Sequence, residues 1–253
     1  MPARVRLSGK ATEWATRLVE RVGPDEARKV SQRMLDAIDD VSSNRWEAAT
    51  RRAAKLPGGI RPEKIEALTD AFARELGAAG AAAGAAAAAP AVGTAATLLA
   101  TTAELGWFTA RAGDLILTIA AVHGRPDPTV DERRAWVLAV LIYGSSARDG
   151  LSRAINEATT GASPAVNRRL PVATLQTANR LMSRSLMRRY GSQRAAIAIG
   201  TAIPIGIGAV VGAGANYLAI RALARNADQF FARLPYSAID VASTDVTGRL
   251  LGP

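Results

Sequence analysis

Apolar positions recur at intervals of three and four residues through the first third of the chain. Ala11, Trp14, Leu18 and Val22 form one run, Val30, Met34, Ile38 and Val41 a second, and Ile65, Leu68, Phe72 and Leu76 a third. This spacing places each set on one side of a helix with 3.6 residues per turn, and charged residues fill the other side. The runs are interrupted at "VGPDE" and "LPGGIRPEK". Gly23 and Pro24, then Pro57, Gly58 and Gly59, stop helical backbone there, and Pro62 falls in the first turn of the next helix, where its missing N–H costs nothing. The pattern predicts amphipathic helices that pack on something else.

The pattern then changes. Residues 76 to 103, "LGAAGAAAGAAAAAPAVGTAATLLATTA", carry no charge. A continuous helix of that length would cover about 42 Å, more than the roughly 30 Å hydrocarbon layer of a bilayer. Alanine and glycine insert poorly compared with leucine or isoleucine, and Pro90 would break a helix near its middle. Two short helices, or a hairpin with close backbone approach, are expected. "ELGWFTARAGDLILTIAAVHG", residues 104 to 124, then reads as a strongly apolar helix that ends at Gly124. In "RPDPTVDERRAWVLAVLIYG", Thr129 and Glu132 spell a capping box that opens a helix from Val130 to about Tyr143.

Residues 144 to 176 are mixed, with "GASPAVNRRLP" reading as a loop. Leu175, Ala178, Met182, Leu186 and Tyr190 then form an apolar stripe, while Arg180, Arg184 and Arg188 follow one another at every fourth position on another face. "RALARNADQFFARLPYSAID" continues as an amphipathic helix up to Pro235, and the tail is expected to be loosely ordered. Sustained period-two alternation and Asn-Gly turns are absent from the sequence. The expected fold is therefore all-α, a multi-helix bundle with two glycine/alanine-rich apolar helical hairpins. Residues 1–61 would supply N-terminal amphipathic helices, 62–235 the main helical domain and 236–253 the tail.

The second hairpin is the uncharged stretch between Arg194 and Arg221, which includes "AIAIGTAIPIGIGAVVGAGANYLAI" at 196–220. It has three readings. Gly206, Gly208 and Gly212 superficially match a dinucleotide-binding turn, and Asp228 stands about where a ribose carboxylate belongs, but that unit needs a parallel sheet that the rest of the chain does not offer. As a helix seam, Gly208, Gly212 and Ala215 or Ala219 repeat every three to four residues and present a smooth stripe to a partner helix. As a span, Pro204 divides the segment and leaves 205–220 at about 24 Å, so a re-entrant or interfacial hairpin suits the lengths better.

Charge and chemistry narrow the function classes. The net charge is +10, and residues 144–194 hold 9 arginines against Asp149 and Glu157 alone. Such a patch attracts phosphate-bearing partners. Arg168, Arg169, Arg180, Arg184, Arg188 and Arg189 are the candidate ligands for lipid head groups. Nucleic acid is disfavoured, because Tyr190 is the only aromatic residue in that stretch and single-strand binders interleave stacking rings with charge. The chain has no cysteine and one histidine, His123. This excludes thiolate chemistry and histidine metal clusters, and no cofactor or metal is expected. His123, beside Gly124, reads as a helix-end residue whose partial positive charge would favour the dipole. Asp36, Asp39 and Asp40 read as a solvated helix back.

Glu104, Arg111 and Asp114 are spaced seven and three apart on the apolar helix, hence on one face. Charges buried there need partners. An inward-facing trio would form an ion network or orient a ligand, with Asn216 as a candidate partner.

Two stretches resemble the EcsC family. "ELGWFTARAGDLILTIAAVHGRPDPTVDERRAWVLAVLIYG" is similar to its most recognisable part, an apolar helix with a basic residue, an Asp-Pro loop and "ER" opening the next helix. "IAIGTAIPIGIGAVVGAGANYLAIRALARNADQFF" looks like its second landmark, a proline followed by a glycine-rich segment that ends in Asn before a long helix. The resemblance covers roughly residues 62 to 235. The first uncharged segment is richer in alanine than is usual in the family, and His123 stands where tyrosine is common.

The resemblance implies an all-helical bacterial protein, named for a gene beside an ABC transporter, with no catalytic residues to carry over and with membrane association. The resulting expectation is a non-enzymatic accessory or scaffold protein at the inner leaflet of the cell membrane, contacting anionic lipid. A membrane transporter or another protein is a further candidate partner. The alternative is a soluble helical domain that binds an apolar or lipid ligand in its core. The first residues lack the apolar core of a secretion signal, so the chain is expected to start in the cytoplasm.

Overall fold

In the computed structural model, the described residues are 24–87, 94–159, 171–190 and 212–234. They form eight α-helices and one 3-10 turn, with no strand among them. The helices are α1 (Pro24–Asn44), α2 (Trp46–Ala54), α3 (Arg61–Ala87), α4 (Thr94–Val122), α5 (Val130–Tyr143), α6 (Ala147–Ala158), α7 (Val172–Tyr190) and α8 (Gly212–Arg233). The protein is thus an all-α multi-helix bundle. The run from Ala11 to Val22, Pro90 and the tail lie outside the described residues.

The periodic stripes become the core. Met34, Ile38 and Val41 of α1 are buried, as are Ile65, Leu68, Phe72 and Leu76 of α3 and Leu175, Ala178, Met182 and Leu186 of α7. All of these belong to one hydrophobic cluster. The loop around residue 61 therefore joins helices of a shared core, and α1 and α2 both pack against α4. Helix α1 stops at Arg45 although its amphipathic pattern continues. The interruption is slight, since the Arg45 amide still donates to the Val41 carbonyl at 3.1 Å and the Ala49 amide to the Arg45 carbonyl at 2.9 Å.

Helix α4 is the centre. It packs against α1, α2, α3, α5 and α8, and Leu115, Ile116, Leu117, Ile119 and Ala120 are fully buried. Its part from Leu105 to Val122 is apolar and long enough to cross a membrane, but 67% of that stretch is buried inside the protein, as expected of a core helix. The uncharged residues 76–103 do not form separate short helices. They extend α3 to Ala87 and begin α4 at Thr94, and since these two helices run antiparallel the hairpin alternative is the one that fits; alanine, with the highest helix propensity, favours the extension.

Local signals fix the loop between α4 and α5. Gly124 has φ +70°, which glycine adopts without penalty. The Gly124 and Arg125 amides bond to the Ala121 and Ala120 carbonyls at 2.9 and 3.2 Å, a Schellman closure of α4. The capping box then opens α5: the Thr129 hydroxyl accepts from the Glu132 amide, and the Glu132 carboxylate accepts from the Thr129 amide at 2.7 Å.

Close helix approach occurs where the sequence pattern did not flag it. A Cβ on Gly113 of α4 would stand 2.8 Å from Val41 Cγ1 of α1, so the two backbones meet over a glycine. Gly208 lies outside the described residues. Gly212 and Ala215 sit on the helical backbone of the first turn of α8.

Interhelical polar pairs set the directions of three helices. His123, at the end of α4, faces Arg61 at the start of α3 and Asp228 near the end of α8. Arg221 of α8 meets Asp70 of α3 at 2.6 Å. Helices α4 and α8 therefore run parallel to each other and antiparallel to α3. Their opposite end is built from the uncharged parts of all three, residues 76–87, 94–103 and 212–220.

Gly113→Ala is expected to destabilise the bundle by about 1–3 kcal/mol, because overpacking at a buried glycine forces α1 and α4 apart. Thr129→Ala should cost about 1 kcal/mol through loss of the cap. Urea unfolding followed by circular dichroism measures both.

Candidate functional site

A band of charge crosses the bundle where α3, α4 and α8 pass into their uncharged parts. Arg111 of α4 donates to Asp114 Oδ2 at 2.7 Å and to the Glu75 carboxylate of α3. Its guanidinium also lies 4.6 Å from the Phe72 ring centroid. Burial works against the Arg111 charge, but the two carboxylates outweigh it and move its pKa up from the ordinary value. Asp114 is buried, with a side chain 2% exposed, and Arg45 approaches the same Oδ2 at 3.8 Å from the α1–α2 junction. Arg52 of α2 donates to Thr118 Oγ1 at 3.1 Å, and Thr118 in turn donates to the Asp114 carbonyl. Along the band, the Arg221–Asp70 pair ties α8 to α3, and the Arg221 guanidinium sits 5.0 Å from the Tyr217 ring centroid.

The sequence trio resolves only in part. Arg111 and Asp114 pair directly. Glu104 and Asn216 lie on the helical backbone of α4 and α8, and their side chains lie outside those described. Glu75 and Arg45, which complete the network, carry no sequence signal that marks them: Glu75 is one acid on the charged back of a stripe, and Arg45 is one of 28 arginines. Only the meeting of α1, α3 and α4 selects them.

A second feature is the outer face of α6 and α7, which pack on each other. Arg148, Arg153, Arg180, Arg184, Arg188 and Arg189 are all exposed. Arg180 bonds to the Thr177 hydroxyl at 2.7 Å, and Arg189 donates to the Ile142 carbonyl at 2.9 Å. Arg148, Arg184 and Arg188 meet no carboxylate among the described residues. Helix α7 is tied to α5 by the buried Asn179 and the exposed Gln176, which both donate to Asp131. The arginine face is therefore presented on a fixed helix. Arg168 and Arg169 lie outside the described residues.

The third feature is the far end of the bundle. His123 Nε2 is 2.8 Å from Asp228 Oδ1, and its Nδ1 faces Arg61 Nη1 at 3.5 Å. A neutral ring that donates from Nε2 to the carboxylate and accepts at Nδ1 satisfies both contacts. Burial, resisted by Asp228, lowers the His123 pKa from its ordinary 6.5. The histidine does stand at the helix end, but its burial removes the positive charge that a dipole argument assigns to it. Asp228, at ribose spacing in the sequence, closes the bundle through this contact. Arg125 completes that end by donating to the Phe231 and Leu234 carbonyls, each at 2.6 Å, which caps α8.

The model of the EcsC protein family matches residues 7–234. The match starts well before residue 62, in keeping with the shared core of α1, α2 and the later helices. Neither a curated protein nor a solved structure shows significant similarity to the chain.

Removing the buried carboxylate with Asp114→Ala should cost about 3 kcal/mol, since it leaves Arg111 less compensated. Arg45→Ala, at the exposed edge of the same pair, should cost under about 1 kcal/mol. Chemical denaturation separates the two. For His123, lowering of the folded pKa means the unfolded chain takes up a proton first as pH falls. The histidine contribution to stability is complete above pH 6.5 and is lost as pH drops through the lower folded value. His123→Gln should flatten that part of the stability profile, which unfolding curves across the range would show.

Proposed function

The chain belongs to the EcsC protein family, and from that footing we propose that it is a non-enzymatic, membrane-associated accessory or scaffold protein on the cytoplasmic leaflet, holding anionic lipid through its arginine face. The observation that supports this best is the loss of charge toward one end of α3, α4 and α8. Beyond Glu75, α3 continues without charge from residue 76 to 87, about 18 Å of helix, and α4 runs without charge from 94 to 103, about 15 Å. Both lengths match one leaflet of a roughly 30 Å hydrocarbon layer and fall short of a full span. The uncharged start of α8 joins them at the same end.

The arginine face supports the same reading. Arg184 and Arg188, exposed and without a carboxylate partner among the described residues, lie on the helix that leads into the second uncharged segment, 195–220. Guanidinium groups pair well with phosphate because their planar donors match its oxygens. Each arginine near an anionic surface contributes about 1 kcal/mol. Apolar contact and charge attraction thus act together, so salt would weaken the attachment without abolishing it.

Co-sedimentation with phosphatidylcholine vesicles, with and without phosphatidylglycerol, tests the proposal. Binding should rise with the anionic fraction. The triple variant Arg180→Gln, Arg184→Gln, Arg188→Gln should bind roughly two orders of magnitude more weakly while remaining folded. Complete recovery of the wild-type protein in the supernatant at every composition would remove the proposal. Tightly co-purified lipid in such a soluble protein would point instead to a ligand held in the core.

A further inference from the structure

Two large apolar side chains remain in solvent next to the charged band. Trp107 is 40% exposed and Leu218 is 67% exposed. The neighbour of Leu218, Tyr217, is half-buried, with its ring beside the Arg221 guanidinium. The remaining exposed large apolar residues, Ile60, Val130 and Val172, each stand at or just before the start of a helix. Trp107 and Leu218 differ in being placed well inside α4 and α8. Trp107 is four residues before Arg111, and Tyr217 is four residues before Arg221, so in each helix the ring-bearing residue precedes its arginine by about 6 Å of helix rise. In both helices that turn leads toward the uncharged end.

We propose that Trp107, Tyr217 and Leu218 form the rim at which the bundle enters the lipid interface, and that Arg111 and Arg221 set its depth. The inference rests on the membrane-associated reading and adds the orientation and the contact residues. Tryptophan and tyrosine favour the boundary between headgroups and hydrocarbon, where a flat apolar ring and a polar N–H or O–H are both satisfied. Leucine prefers the adjacent acyl region. The two arginines are held to Glu75, Asp114 and Asp70, and drawing such groups further into hydrocarbon costs several kcal/mol. The band therefore acts as a stop one turn behind the rim.

The occupant is a lipid surface rather than a protein groove, because Trp107, Tyr217 and Leu218 lead into uncharged turns of α4 and α8, while the exposed Arg33 of α1, whose carbonyl lies near Gly106, offers a cation to anionic head groups at the level of the rim. The insertion is shallow, since the helices beyond the rim have about the length of one leaflet.

Tryptophan emission provides the test. In a Trp14→Phe background, the remaining tryptophans are Trp46, Trp107 and Trp136, and Trp46 and Trp136 are buried in the core. Vesicles containing phosphatidylglycerol and acyl-brominated phosphatidylcholine should quench and blue-shift the emission. Adding Trp107→Phe should remove most of that response while leaving co-sedimentation nearly intact. Leu218→Asp, an exposed site whose folding circular dichroism would verify, should weaken vesicle partitioning about tenfold. Protein that sediments with vesicles but shows unchanged Trp107 emission would overturn the rim and leave membrane association standing. Protein that fails to sediment at all would overturn the membrane-associated reading and the rim with it.

Discussion

The bundle depends on enclosing α4. A helix whose sequence passes the length and hydropathy test for a membrane span is here surrounded by five others, so its apolar surface is satisfied by protein. Enclosing it carries a cost, because Asp114 sits in the middle of that surface. A lone ionised carboxylate in such a place would be expelled or neutralised. It is retained because Arg111 on the next turn and Arg45 from the α1–α2 junction reach the same oxygen. The network in turn fixes where α1, α3 and α4 meet, so the charge requirement of one side chain constrains the register of three helices.

The two ends of the bundle solve different problems. At one end local and interhelical contacts close the helices: Gly124 turns the chain out of α4, Arg125 caps α8, and His123 links Arg61 to Asp228. At the other end, α3, α4 and α8 extend past the last ion pairs as uncharged helix. Glycine and alanine there provide helical backbone with little side-chain bulk, which permits close packing but provides no polar contact with water. Helix α1 runs beside the start of α4, with Gly106 close to the Arg33 carbonyl, so charge is absent there from three helices and not from the whole end.

Much of the fold could be read from residues alone. Stripes at three- and four-residue spacing in α1, α3 and α7 became the buried faces of those helices, because a single-sided apolar pattern has one stable use in water. The Thr129–Glu132 box and Gly124 are local devices whose chemistry is complete within a few residues, and they formed as their spacing dictates. The break at Arg45 and the extension of α3 and α4 into the alanine-rich stretch were less legible. They depend on competition between weak local preferences and long-range packing.

The sequence determined the helical class, the positions of its strongest caps, the EcsC resemblance and the unequal distribution of charge, since all of these arise from side chains within one or two turns of each other. It also required that Arg111 and Asp114 share a face. Only the tertiary structure could supply Glu75 and Arg45 as their companions, place Asp228 on His123, bring Gly113 against Val41, and gather the uncharged parts of α3, α4 and α8 at one end. Those partners are separated by tens of residues to more than a hundred, and no local periodicity records which of many similar arginines, acids and glycines will meet once the helices pack.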